Sequence, residues 1–73
     1  MNYQYKIEFN FKGKIIMTRH LHSVPRKGEW VEITDRRARE AAGVTGNAPF
    51  VLKVRSVWWA FTANETIASL HLE

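Results

Sequence analysis

Residues 3–11 read Tyr3-Gln4-Tyr5-Lys6-Ile7-Glu8-Phe9-Asn10-Phe11, with apolar and polar side chains in unbroken alternation. Such a stretch buries one whole face only as an extended strand, because successive strand side chains point to opposite faces, whereas a helix would scatter them around its axis. The segment predicts a strand lying with one face on a core, and it sets the fold class as mainly β. Lys12-Gly13 follows, where glycine supplies the positive φ of a tight hairpin, and a second strand is expected over residues 14–22, antiparallel to the first. There Ile15, Met17 and Leu21 share their face with Arg19, the mark of an edge position or a bulge.

Val24-Pro25-Arg26-Lys27-Gly28 reads as a turn, since proline pre-sets φ early and glycine accepts what other residues cannot later. A third strand should start at Glu29 or Trp30 and run to Ile33 or Thr34. Thr34 or Asp35 can then cap a short helix over residues 36–42, with Gly43 placed to end it and Ala38, Ala41 and Ala42 forming a narrow apolar stripe. Residues 44–49 form a loop by composition. A fourth strand opens with Phe50, Leu52 and Val54 on one face. Near Ser56 the phase slips, so that Val57, Trp59 and Phe61 become the apolar set, as a β-bulge inside a long strand produces. Trp59 is then expected inside and Trp58 outside. A polar turn at residues 62–65 leads to a fifth strand that puts Ala68, Leu70 and Leu72 inward. The whole is a single domain: a five-stranded antiparallel, partly open small barrel, SH3-like or OB-like, with one short helix between strands three and four.

The chain has 73 residues, enough for one core and no second domain. It has no cysteine, so neither disulfides nor thiolate metal sites support the fold. No apolar run approaches the length of a membrane helix, and no signal-peptide core follows Met1, so a cytoplasmic location and no membrane partner are expected. Eleven Lys and Arg against seven Asp and Glu give a net charge of +4, with a pI near 9.9, which suits a polyanionic partner and serves solubility equally.

Ser23, Ser56 and Ser69 lack the surroundings of an activated nucleophile, and Glu29, Glu32 and Asp35 are explained by strand surface and helix cap. No enzyme, cofactor or catalytic residue is therefore expected. His20, His22 and His71 have no further ligand pattern beside them, and Gly28, Gly43 and Gly46 do not have phosphate-loop spacing. The strongest basic feature is Arg36, Arg37 and Arg39 on the helix with Arg26 and Lys27 on the preceding turn. Read blandly, it is a solvated polar face; read functionally, its guanidinium forks hold phosphates or carboxylates. Adjacent Trp58 and Trp59 must face opposite ways, leaving Trp58 outside with Trp30, either over a secondary core or as an exposed aromatic surface able to anchor a protein or stack bases.

Through Val24-Pro25-x-x-Gly28-Glu29-x-Val31-x-Ile33, a strand ending near Val54-x-x-Val57, and the closing Ala68-x-Leu70-x-Leu72, the chain resembles small SH3-like barrel proteins of bacteria and phages over about two thirds of its length. Residues 35–48 depart from that pattern by inserting the Arg-rich helix. As a type, a compact, basic, cysteine-free domain also resembles phage-encoded regulators of host RNA polymerase. The expected function is accordingly a non-enzymatic, protein-binding regulator of transcription. It would grip the acidic surface of a larger protein with Arg26, Lys27, Trp30, Arg36, Arg37, Arg39 and Trp58. Single-stranded nucleic acid is the alternative partner.

Overall fold

Alternation becomes five strands and a helix in the computed structural model, which describes residues 4–73: β1 (Tyr5–Phe11), β2 (Lys14–Leu21), β3 (Trp30–Glu32), α1 (Arg36–Ala41), β4 (Val51–Phe61) and β5 (Thr66–Leu72). Tyr3, expected at the head of the first strand, lies outside the described residues. Lys12 and Gly13 take φ values of 52° and 76°, so the β1–β2 hairpin turns through the pair of positive-φ residues whose twist matches the strands. β3 is shorter than expected, yet the backbone beyond it still pairs with its neighbour, through Val54 N–H to Glu29 carbonyl at 2.8 Å and Ile33 N–H to Phe50 carbonyl at 2.9 Å.

The strands form one curled sheet in the order β2-β1-β5-β4-β3, an open half-barrel. It is mixed and not wholly antiparallel: β1 and β5 run side by side in the same direction, from Lys6 opposite Ile67 to Phe11 opposite Leu72. Local signals define the β1–β2 and β4–β5 hairpins, but nothing local states how the hairpins join. They join through their two most buried strands, so β5, with every second residue buried, is central. Ile7, Val54, Ala68 and Leu70 are fully buried, and Phe9, Ile16, Ile33, Ala38, Leu52 and Leu72 complete the core.

Both irregular stretches contain a bulge. In β2 the extra residue is Ile16, between the pairs Phe9–Met17 and Asn10–Ile15; it drops into the core while Ile15 turns to the outer face of this edge strand. In β4 the extra residue is Arg55, between Val54–Leu72 and Ser56–His71. α1 is capped by the Asp35 carboxylate, which accepts from the Ala38 N–H at 2.9 Å. It closes at Gly43 with bonds from Gly43 N–H to Glu40 carbonyl and Val44 N–H to Arg39 carbonyl, the paired closure that a positive-φ glycine permits. The helix packs against β2 and adds Ala38 to the core.

The shape is elongated, 39 × 21 × 20 Å, with a radius of gyration of 12.5 Å against about 11 Å for a compact chain of this length. The β4–β5 hairpin accounts for this. Past Val57, residues 58–65 are exposed throughout, and the hairpin extends as an arm.

Candidate functional site

The concave face of the half-barrel carries Ile7 and Phe9 under its core and Tyr5, Val57 and Trp59 beyond it. α1 covers the β2 side of this face. No corresponding element covers the outer half of β4 among the described residues, and there an open cleft of about 1090 Å³ is bounded by Tyr5, Leu21, Val57 and Trp59 below and by Arg26, Lys27 and Trp30 at the rim. Tyr5 meets Trp59 edge to face at 5.7 Å, and Trp59 lies nearly parallel to Phe61, with an interplanar angle of 9° at 6.4 Å. The three rings thus form one aromatic tract along the arm.

The Val24-Pro25-Arg26-Lys27-Gly28 turn builds the rim. Gly28 at φ 91° lets the chain reverse, its N–H bonds the Val54 carbonyl at 2.8 Å, and the Glu29 carboxylate accepts from the Arg26 N–H. With its backbone fixed in this way, the turn projects Arg26 and Lys27 side chains that make no ion pair among the described residues. Trp30 is 67% exposed, and the Lys53 ammonium lies 5.9 Å from its ring centre. Trp30 thus shares the rim with two cations, Arg26 and Lys27, and has a third, Lys53, beside its ring outside the cleft, an arrangement that suits carboxylates or phosphates.

The residues expected to bind a partner fall in three places. Arg26, Lys27 and Trp30 come together at the cleft mouth. Trp58 faces outward, as expected, away from the cleft floor and on the same face of the sheet as Lys53 and its strand partner Trp30, with its ring against His71 at 4.8 Å. Arg36, Arg37 and Arg39 sit on α1, and their surroundings differ. Arg36 pairs with Glu40 one turn on at 3.1 Å, an exposed contact worth little. Arg37 makes no ion pair among the described residues. Arg39 donates to the carbonyls of Ile33 (3.2 Å), Gly46 (3.2 Å) and Ala48 (2.6 Å), so its guanidinium ties the loop after the helix to the end of β3. This fork is already occupied by the chain's own backbone. Arg19 forms the tighter ion pair, with Asp35 at 2.6 Å. The Ala38 N–H, and after it Arg19, hold the Asp35 carboxyl below the usual carboxylate range.

Scans against family models, curated proteins and solved structures return no match.

Trp59 departs from expectation. The phase slip does put it on the core face, but it remains 47% exposed because the core ends at Val57. Tyr5 and Leu21 line the same open face, and Phe61 continues it beside Trp59, although alternation alone puts Tyr5 and Phe61 with the interior set. Three successive core-face positions, 57, 59 and 61, leading into a polar turn with nothing in the sequence to cover them, are the signal that points to the cleft. A second hollow of about 480 Å³ lies at the Arg55 bulge between Lys12, Arg55 and His71. There the buried Nε2 of His71 has no hydrogen-bond partner among the described residues. Among the described residues no helix is long and apolar enough to cross a membrane.

Proposed function

We propose that this protein is a non-enzymatic binding module that grips an acidic segment of a larger protein at the mouth of the cleft. The observation that supports this reading best is the grouping of exposed Trp30 with Arg26, Lys27 and Lys53 beside an aromatic floor. Trp and Arg are the residues that most often dominate protein interfaces, and an indole fixed between cations offers apolar area and carboxylate recognition together. Arg36 and Arg37 carry further positive charge on the helix, apart from the cleft lining. The SH3-like kinship suggested by the turn and closing-strand motifs accords with a curled five-stranded sheet. A phage-encoded, cytoplasmic regulator acting on host RNA polymerase is the member of that type we favour.

A second reading has its own support. Trp59 and Phe61 present nearly parallel rings beside a cationic rim, and rings so placed accept stacked bases of a single strand while lysine and arginine meet its phosphates.

One experiment separates the two. The protein is immobilised, host lysate is passed over it with and without nuclease, and capture of RNA polymerase is compared with that by an Arg26→Glu/Lys27→Glu variant. The proposal expects nuclease-resistant capture that the charge reversal abolishes. Capture that nuclease removes, with micromolar quenching of tryptophan emission by oligothymidylate, would transfer the function to nucleic acid. Nuclease-resistant capture unchanged by the reversal would refute the site.

A further inference from the structure

We infer that the outer half of β4 is a self-complementary dimer seam, along which a second copy of this chain adds its own β4 antiparallel about a two-fold axis at Trp59. This goes beyond the partner reading and does not rest on it.

The argument begins with the backbone. β4 pairs with β5 over residues 54–61, but β3 covers only Val51, Leu52 and Lys53 on its other side, with Gly28 and Glu29 reaching Val54. From residue 56 outward, that side has no backbone partner among the described residues. Antiparallel strands turn alternate N–H and C=O pairs toward each neighbour. The Thr62 N–H bonds the Glu65 carbonyl, which sets the phase: residues 62, 60, 58 and 56 face β5, and Val57, Trp59 and Phe61 direct their backbone groups to the open edge. The phase agrees from the other end, where Val54 faces β3 and the bulge at Arg55 absorbs one residue.

An open strand edge is a template for another strand. Soluble proteins commonly protect such edges with lysine, proline or an inward charge, and residues 56–61 read Ser-Val-Trp-Trp-Ala-Phe, with none of these. The Arg55 bulge lies at the root of the arm, before the open stretch, and leaves that stretch regular. A partner strand chosen for charge would find nothing to recognise along this edge, whereas a second copy meets no like charge despite the net charge of +4.

The register follows from the phase. With the axis at Trp59, Trp59 opposes its own copy and Val57 opposes Phe61. Each of these pairs exchanges both an N–H and a C=O, so every open-edge group of the three residues is satisfied. Isologous contacts of this kind are the commonest route to a closed dimer. On the concave face Phe61 of one copy arrives beside Val57 of the other, at the wall of the cleft between Val57 and the Arg26–Lys27 turn. Its ring, 76% exposed in the single chain, then lies in an apolar hollow beneath cations that favour an aromatic face. On the outer face Trp58 lies opposite Ala60, so a large ring meets a methyl group. Trp58, Trp59 and Phe61 leave on the order of 400 Å² of aromatic surface exposed per copy. Trp58 leans on His71 and Trp59 on Tyr5, away from the seam, so pairing covers mainly Phe61, the near flank of Trp59 and the two backbone edges, an area below the standard interface size of roughly 1,200–2,000 Å² that suits a weak dimer.

The test is sedimentation velocity of the whole chain from micromolar to submillimolar concentration at low and high salt. A dimer is expected that tightens as salt screens the repulsion between two cationic copies, the opposite of the salt response of an acidic partner. Phe61→Lys lies outside the core, should keep the wild-type melting curve at concentrations where both are monomeric, and is expected to weaken association at least roughly tenfold. Ile15→Ser, on the β2 edge, should leave it unchanged. Because the chain has no cysteine, Trp59→Cys should cross-link to its own copy under a thiol oxidant more readily than Phe61→Cys, whose counterpart is Val57. A wild-type monomer at all concentrations, association indifferent to Phe61→Lys, or association lost only with Ile15→Ser would overturn the seam. Cross-linking in the reverse order, or with neither cysteine, would remove the axis from Trp59.

Discussion

Arg39 and Asp35 are the two polar residues on which the segment between β3 and β4 depends. Arg39 holds three carbonyls from separate places in the chain, a task that needs a planar fork of donors. Arg39→Ala is expected to lower stability by about 1–3 kcal/mol in urea unfolding, because the carbonyls lose charged donors and the loop loses its tie. Arg39→Lys should recover little, since one ammonium cannot reach all three. Asp35 caps the helix and pairs with Arg19, and its carboxyl is held below the ordinary range. A carboxylate depressed on folding stabilises the native state above its unfolded value, and the contribution is lost as pH falls through the lower folded value. Thermal melts between pH 6 and pH 2 should therefore show part of the acid destabilisation, below about pH 4, disappear in Asp35→Asn, which keeps a capping oxygen and lacks the charge.

Among the elements, the long strand β4 shows how one residue sets the orientation of several others. Arg55 is the extra residue that puts Val57 and Trp59, and not Trp58, on the face shared with Leu70. Deleting Arg55 forces either a rotation of residues 56–61, turning Val57 outward, or a slipped pairing with β5. Either outcome is expected to cost about 2 kcal/mol or more and to shift tryptophan emission. The bulge was legible in the sequence because Leu52 and Val54 keep one phase and Val57, Trp59 and Phe61 the other. The hairpin at Lys12-Gly13, the turn at Gly28 and the Asp35-to-Gly43 helix were legible for the same reason: each is decided within a few residues by φ, capping or alternation. The parallel joining of β1 and β5 was not, since it links residues some sixty positions apart and leaves no local mark. Nor was the exposure of Trp59, because alternation states which face a ring takes and is silent on whether anything lies over that face. Of the candidate site, Arg26, Lys27 and Trp30 came together, while Arg39 could not be told from its neighbours without seeing which carbonyls lay within its reach.

At the scale of the whole molecule, charge and aromatic surface lie in different places, and the difference can be measured. Cations line the cleft mouth and helix, whereas the arm from Val57 to Phe61 is neutral. Capture of an acidic partner should weaken several-fold between low and physiological salt. Leu70→Ala, in a strand that touches both hairpins, should cost about 3–5 kcal/mol in chemical denaturation, enough to leave a domain of this size largely unfolded. The central position of β5 also bears on how the chain is made. Translation delivers the middle of the sheet after its neighbours: until Thr66 to Leu72 leave the ribosome, β1 and β4 have no strand between them, and the tryptophan-rich stretch waits unprotected. Nascent chains arrested before residue 66 should be cut readily by protease, and released chains that carry β5 should resist. The interval before β5 emerges is when a chaperone would matter most.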